Sequence, residues 1–354
     1  MKKVGSIKLA SDNKKEEKVK KNFRPKLWHA IIVLALVLAF LLLKIVNYYP
    51  LNKGLNHQAD YFGVTFSKKF CDEIGLNWQE VYTAMLDELQ VKNIRIPVYW
   101  DEIEKMEGNF DFSDYDYMLS EGEKRGTNFI ISIGRRVPRW PECHSPAWLN
   151  KKNELGAKVA TLKMLREVVN HYKNQESIEY WQIENEPFLG TFGVCPPLDE
   201  DFLRQEFDLV RSLDSRPLII TGSGELSLWR KESKIGDIFG TTMYRIVYNS
   251  FFGFIRYPFP TSFYHWKAKI NNLIPDRIMI LELQAEPWVP KGNMIYLDQD
   301  IIDKTMSVRQ FQANIQYAIN LDLQRAYFWG VEWWYWQKKY GNPAYWQIAA
   351  SLFD

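Results

Sequence analysis

From residue 60 onward the chain alternates short apolar runs with amphipathic stretches. The runs at 61–66, 92–97, 128–132, 180–187, 218–221, 238–243, 277–282 and 326–330 are rich in β-branched and aromatic residues. Short runs of this kind, bounded by polar or glycine-containing segments, read as strands. Between them apolar residues recur at helical spacing. Val81, Met85, Leu86 and Leu89 share one face, as do Leu162, Leu165, Val168, Val169 and Tyr172, and later Val308, Phe311, Ile315 and Ile319. Asn77-x-x-Glu80 has the form of a capping box at the head of the first of these helices. Eight strand–helix alternations predict a single (β/α)8 barrel of class α/β over 59–354. A doubly wound open sheet is the rival, but no G-x-G-x-x-G or Walker loop follows any strand.

Upstream the pattern changes. Residues 27–43 are almost wholly apolar, and the run continues past Lys44 as Ile45-Val46. With Lys44 snorkelling to the interface, 27–48 is long enough for a bilayer core of roughly 30 Å. No A-x-A cleavage site follows, so the expectation is an uncleaved single-pass transmembrane helix rather than a signal peptide. Residues 1–26 are lysine-rich and aperiodic, expected as a disordered cytoplasmic tail, and 49–58 as a linker. Lysines before the span and few basic residues after it place the barrel outside the cell membrane.

Charge sharpens this division. The net charge of +2 combines +7 in 1–26 with −5 in the remainder. An acidic body lacks the basic footprint of a nucleic-acid binder. Three cysteines without a C-x-x-C, and five histidines without H-E-x-x-H, give no metal-site spacing, so no metal or cofactor is expected. Cys143 and Cys195 both follow strand ends and would pair in an oxidising compartment, leaving Cys71 free. Fourteen tryptophans suit either a Trp-rich core or a surface that stacks on sugar rings.

In such barrels the chemistry lies at the C-terminal ends of the strands. Those ends carry Arg95, Asn185-Glu186, Tyr244, Glu282 and Trp329. Two strand-ending carboxyls, on strands four and seven, suit glycoside hydrolysis, in which one protonates the leaving oxygen and the other attacks the anomeric carbon. Arg95 and Tyr244 beside Glu282 would hold negative charge there, and burial against Trp181 would keep Glu186 protonated.

At these residues the sequence resembles the clan A glycoside hydrolases, retaining (β/α)8 enzymes, over about residues 60–340. The resemblance implies Glu186 as acid/base, Glu282 as nucleophile, Asn185 as a ligand of the sugar 2-hydroxyl, and Arg95 and Tyr244 as their supports. Trp181-Gln182-Ile183-Glu184-Asn185-Glu186 and Glu282-Leu283-Gln284 are similar to segments of the family 42 β-galactosidases, and the barrel also resembles cellulase-like family 5. Thr-Glu-x-Gly around the nucleophile and His-x-Tyr on strand six are absent, so no one family is fixed.

Trp288, Trp329 and Trp333 are candidate sugar platforms, with at least one of the three expected in the core; Trp100 and Trp140 have weaker claims. Glu286 is the rival nucleophile; Glu225 and Glu332 are candidate ligands of sugar hydroxyls. The expected partner is a carbohydrate, and the expected activity is retaining hydrolysis of O-glycosidic bonds. The alternatives are a catalytically silent carbohydrate-binding or envelope scaffold and a metal-dependent barrel hydrolase. The first is disfavoured by the carboxyl pair, the second by the lack of His-Asp clusters at strand ends.

Overall fold

The computed structural model describes residues 27–48 and 59–353. The expectations for 1–26 and 49–58 lie outside the described residues. The chain divides into two units, Met1–Leu42 and Leu43–Asp354.

The second unit holds a closed barrel of eight parallel strands: β1 Phe62–Thr65, β2 Asn93–Pro97, β3 Asn128–Ile133, β4 Ile178–Ile183, β5 Leu218–Gly222, β6 Ile238–Met243, β7 Ile278–Gln284 and β8 Arg325–Trp329. Neighbours in sequence are neighbours in space, and β8 closes on β1 with Phe62 opposite Ala326. Helices cover the outside, among them Trp78–Glu88, Glu154–Tyr172, Glu200–Leu213 and Val308–Leu321. Their first turns are closed by side chains that accept from otherwise unpaired amides: Asn77 from Glu80, Asn153 from Gly156, Asp199 from Phe202 and Ser307 from Gln310.

Strand alternation explains the two apolar cores. On β3, Phe129, Ile131 and Ile133 face the helices, while Ile130 faces the barrel axis. Inside, Ile130, Ile219, Ile238, Met279, Leu281 and Tyr327 form a compact plug. Two glycines make room for it. A Cβ on Gly63 would stand 2.7 Å from the Tyr327 ring, and one on Gly240 would stand 2.5 Å from Leu281 Cδ1. Above the plug the interior turns polar, and there the candidate residues converge.

The loop after β6 carries an unpredicted antiparallel ribbon, Ile246–Asn249 against Gly253–Arg256. Gln284, at the end of β7, accepts from the amides of Arg245 and Ile246 and donates to the Ile246 carbonyl, which fixes the base of the ribbon.

A 22-residue helix runs over Leu27–Tyr48. Side chains are described for 28–41 only, and they are almost all apolar and exposed. Among the described residues, no helix is long and apolar enough to cross a membrane.

Candidate active site

Arg95 is the hub. It projects from β2 into the barrel interior and is fully buried. Its Nε donates to Gln182 (2.7 Å) and its Nη2 to Asn185 Oδ1 (2.9 Å). Its Nη1 donates to the Leu281 carbonyl (3.0 Å) and to Glu282 Oε1 (3.3 Å). One guanidinium thus ties β2 to β4 and β7 and sets both strand-end carboxyl segments in register. The Tyr244 hydroxyl donates to the other Glu282 oxygen at 2.9 Å. The predicted group Arg95, Asn185, Tyr244 and Glu282 is therefore assembled at one place.

β4 stops at Ile183, and the next residues leave strand geometry. Glu184 (φ 56°) and Glu186 (φ 42°) both lie in the left-handed region, which costs on the order of 1 kcal/mol or more each for such residues. The turn is held by Thr221, whose Oγ1 accepts from the Glu186 amide, and by the Arg136 carbonyl, which accepts from the Asn185 amide. The break sends the two flanking carboxyls apart. Glu186 turns to Thr242, which donates to it at 3.2 Å. Glu184 instead accepts from the amides of Arg135 and Arg136, at 2.7 and 2.8 Å, and pairs with Glu206. It lines a separate cavity of about 960 Å³ beside the Cys143–Cys195 bridge, whose lining includes neither Glu186 nor Glu282. Glu184 therefore shapes the loop after β3.

Burial, followed by the charges of Glu282, Glu142 and Glu225, raises the Glu186 carboxyl well above the usual carboxylate range. Trp181 plays no part, contrary to expectation. It lies on the outer face of β4, with its indole N–H on Asp214 at 3.0 Å, because alternation turns it away from the axis.

Two further carboxyls stand here. Glu225, after β5, accepts from the Tyr264 hydroxyl (2.7 Å) and the Tyr244 amide (3.0 Å), and burial pushes it up to about 7. Glu142, on the loop after β3, accepts from Asn185 Nδ2 at 3.0 Å. Burial and the Glu282 charge push it up to about 8. The sequence reading missed Glu142. The only local sign was its place next to Cys143, and the disulfide to Cys195 does form, with Cα atoms 5.3 Å apart and Cys71 left free and buried.

The rival Glu286 is bound by both terminal nitrogens of Arg139, at 2.5 and 3.1 Å. Glu332 is fully buried on the same guanidinium and on the Ser67 amide, so it does not serve as a sugar ligand at the rim.

The tryptophans divide. Trp288 is half-buried and meets Tyr244 edge-on at 5.6 Å and Phe192 at 6.4 Å; Phe192 in turn meets the exposed Trp140 at 5.7 Å. Trp329 is 7% exposed, with Arg139 over its ring at 4.1 Å. Trp333 is not at the site. It is 1% exposed and packs on Tyr345 in the core, because Gly330 (φ 133°) starts a helix, Val331–Lys339, that turns it inward. Trp100 is fully buried, donating to Glu104. Among the described residues, no group of three or more His, Cys, Asp or Glu has a metal-holding arrangement.

The Glu186 shift predicts its own reversal. Glu282→Gln removes one of the charges that raise it, so Glu186 should lose its proton at lower pH in the variant. Carboxyl ¹³C titration of both proteins checks this; an unchanged or higher midpoint contradicts it.

No family model matches this chain, and no curated protein matches its sequence. Solved structures do match in fold. The family 42 β-galactosidase Gan42B of G. stearothermophilus aligns at TM-score 0.54 and 11% identity, over 84% of this chain and 56% of that one. A GH5_18 protein from Streptomyces cattleya, in complex with GlcNAc, aligns at 0.53 and 13%, over 76% and 70%. Xylanase 10B from Thermotoga petrophila, in complex with xylobiose, aligns at 0.50 and 15%, over 80% and 86%. The chain spans about half or less of the length of several structures it matches. Its fold is the barrel of these glycoside hydrolases, as the sequence resemblance implied.

Proposed function

We propose that the protein is a retaining glycoside hydrolase in which Glu186 is the acid/base and Glu282 the nucleophile. The observation that carries this is the contrast between the two carboxyls. Glu282 is met by an arginine and a tyrosine hydroxyl, one on each oxygen. Among the described residues no cation is hydrogen-bonded to Glu186, and burial with the neighbouring carboxyls raises it well above the usual carboxylate range, toward the protonated form. One is prepared to attack and the other to donate.

In the first step a Glu282 oxygen attacks C1 as the bond from C1 to the leaving oxygen breaks, and Glu186 passes its proton to that oxygen. A glycosyl ester on Glu282 results. In the second step Glu186, now a carboxylate, takes a proton from water, whose oxygen attacks C1 and releases Glu282. Asn185, oriented by Arg95 and Gln182, presents its amide to the sugar. Trp288, Tyr244, Phe192 and Trp140 supply aromatic surface for the ring faces, and Trp329 a smaller edge.

A panel of nitrophenyl glycosides tests the reading. The wild type should turn over at least one of them with retained anomeric configuration, measured by NMR of the first product. Absence of turnover throughout the panel would favour a carbohydrate-binding scaffold instead.

The same proposal places the barrel outside the cell with the N-terminus in the cytoplasm, anchored by the apolar segment 27–48, of which side chains are described for 28–41 only, too few to meet the length of a membrane span by themselves. Lysines ahead of an exposed apolar helix support it, as does a disulfide suited to an oxidising compartment. The full chain should stay with membranes through an alkaline carbonate wash; release into the supernatant contradicts the anchor.

A double Cys143→Ser, Cys195→Ser variant should lose about 2–4 kcal/mol of stability. Denaturant unfolding measures this, and a loss below about 0.5 kcal/mol would show that the bridge contributes little.

A further inference from the structure

We propose that Glu225 is a positioning residue for both halves of the machinery: it seats Tyr244, which holds the nucleophile Glu282, and it shares the Thr242 hydroxyl with the acid/base Glu186. The inference rests on the hydrolase reading above and deepens it.

Both connections start from one carboxyl. Glu225 Oε1 accepts from the Tyr244 amide at 3.0 Å and from the Tyr264 hydroxyl at 2.7 Å. The side chain of the same Tyr244 donates to Glu282 Oε2 at 2.9 Å. Glu225 Oε2 faces Thr242 Oγ1 at 3.5 Å, and Thr242 Oγ1 stands 3.2 Å from Glu186 Oε1. Thr242 pairs opposite Glu282 near the end of β6, and Tyr244 is the first residue past that strand. Glu225 follows β5, the other neighbour of β6, and so reaches both residues.

The seat of Glu225 is over-determined. Gly224 passes so close to β6 that a Cβ would stand 2.0 Å from the Thr242 carbonyl oxygen, and its amide donates to Thr242 Oγ1 at 3.0 Å. Lys267, fully buried, donates to the Gly224 carbonyl at 2.7 Å, and the Trp229 indole donates to that of Ser223 at 2.9 Å. Glu225 Oε1 gives both of its lone pairs to the protein, which leaves it none for a sugar hydroxyl.

Thr242 has one hydrogen to share, and it reaches either Glu186 or Glu225. While Glu186 holds its proton for the leaving oxygen, that hydrogen goes to Glu225. Once the proton has been passed on, Glu186 is an anion and the hydrogen turns to it. Rotation of one hydroxyl thus follows the charge of the acid/base. The charge of Glu225 also acts directly. Around Glu186 stand Glu282, Glu142, Glu225 and Tyr244, with Arg136 of opposite sign. Around Glu225 stand Tyr244, Tyr257, Tyr264, Tyr317, Arg245 and Lys267. A glutamine at 225 removes one like charge from Glu186. Its amide nitrogen donates to Thr242 and frees the hydroxyl hydrogen for Glu186. Both effects favour the Glu186 anion.

The test uses the full chain and the phenyl glycoside of whichever sugar the wild type accepts, because a poor leaving group needs the proton of Glu186. The basic limb of kcat/KM against pH reports loss of that proton. In Glu225→Gln it should move to lower pH. In Thr242→Val, which takes a donor from the Glu186 anion, it should move to higher pH, and less so in Thr242→Ser. Glu225→Ala also releases the Tyr244 amide, and should lower kcat about 10- to 100-fold with KM changed less than about threefold, the scale of a small misplacement. Where Glu225→Ala does not fold, the pH limbs decide. A limb unmoved in Glu225→Gln, or moved in the same direction in Glu225→Gln and Thr242→Val, overturns the inference and leaves the hydrolase reading in place. So does a raised KM with unchanged kcat in Glu225→Ala, which would make Glu225 a sugar ligand. No turnover of any glycoside by the wild type overturns the hydrolase reading and this inference with it.

Discussion

Glu282→Gln is expected to lower kcat at least about 10⁴-fold on any glycoside the wild type accepts, the scale on which loss of a covalent nucleophile acts. The substitution keeps the shape of the side chain and an oxygen for Arg95 or Tyr244, so the fold should survive. What disappears is the charge that attacks C1. Glu286→Gln provides the contrast. Its carboxylate is bound by both terminal nitrogens of Arg139, and the loss there should appear mainly as reduced stability. If Glu286→Gln were the inactive variant and Glu282→Gln the active one, the roles assigned to these residues would be wrong.

The second large effect is on stability. Arg95→Met should cost about 3–5 kcal/mol, the range for breaking a buried ion pair by removing one partner. Met fills most of the volume but leaves Glu282 Oε1 and Gln182 Oε1 without their donor inside the barrel, while the Leu281 carbonyl keeps the Thr65 hydroxyl. A fall in melting temperature of about 5–8 °C corresponds to that loss in a barrel of this size. Thermal unfolding monitored by circular dichroism reads it directly. Because Arg95 also orients Asn185, activity should fall in the protein that remains folded. A variant with wild-type melting temperature would mean that the buried arginine is energetically idle.

The barrel was legible because its signal is local. Each expected run falls within a few residues of an observed strand, although register shifts interrupt the alternation in the β3–β4, β6–β7 and β7–β8 pairings. The strand-end residues were legible for the same reason: once β2, β4, β6 and β7 are placed, Arg95, Asn185, Glu186, Tyr244 and Glu282 have only one rim to occupy. Trp333 failed because the reading carried the rim beyond Gly330. A glycine at φ 133° begins a helix there, and helical direction replaces strand alternation. Trp181 failed on parity, lying one residue out of phase with the inward Gln182. Glu184 and Glu186, two apart, share a face only while the strand continues, and it does not. Glu142 was hidden for a different reason. Its position depends on a loop shaped by a disulfide 52 residues long and by a glycine at 193, neither of which leaves a periodic trace.

The central claim is that a covalent bond forms between the sugar and Glu282. A cyclitol epoxide shaped like the substrate ring tests it. Attack by Glu282 on the epoxide carbon opens the ring, Glu186 supplies the proton to the departing oxygen, and a stable ester remains. Peptide mass spectrometry of the inhibited protein should find one adduct, on the peptide carrying Glu282, and none in Glu282→Gln. An adduct on Glu186, Glu225 or Glu286, or inhibition with no covalent adduct at all, would contradict the account.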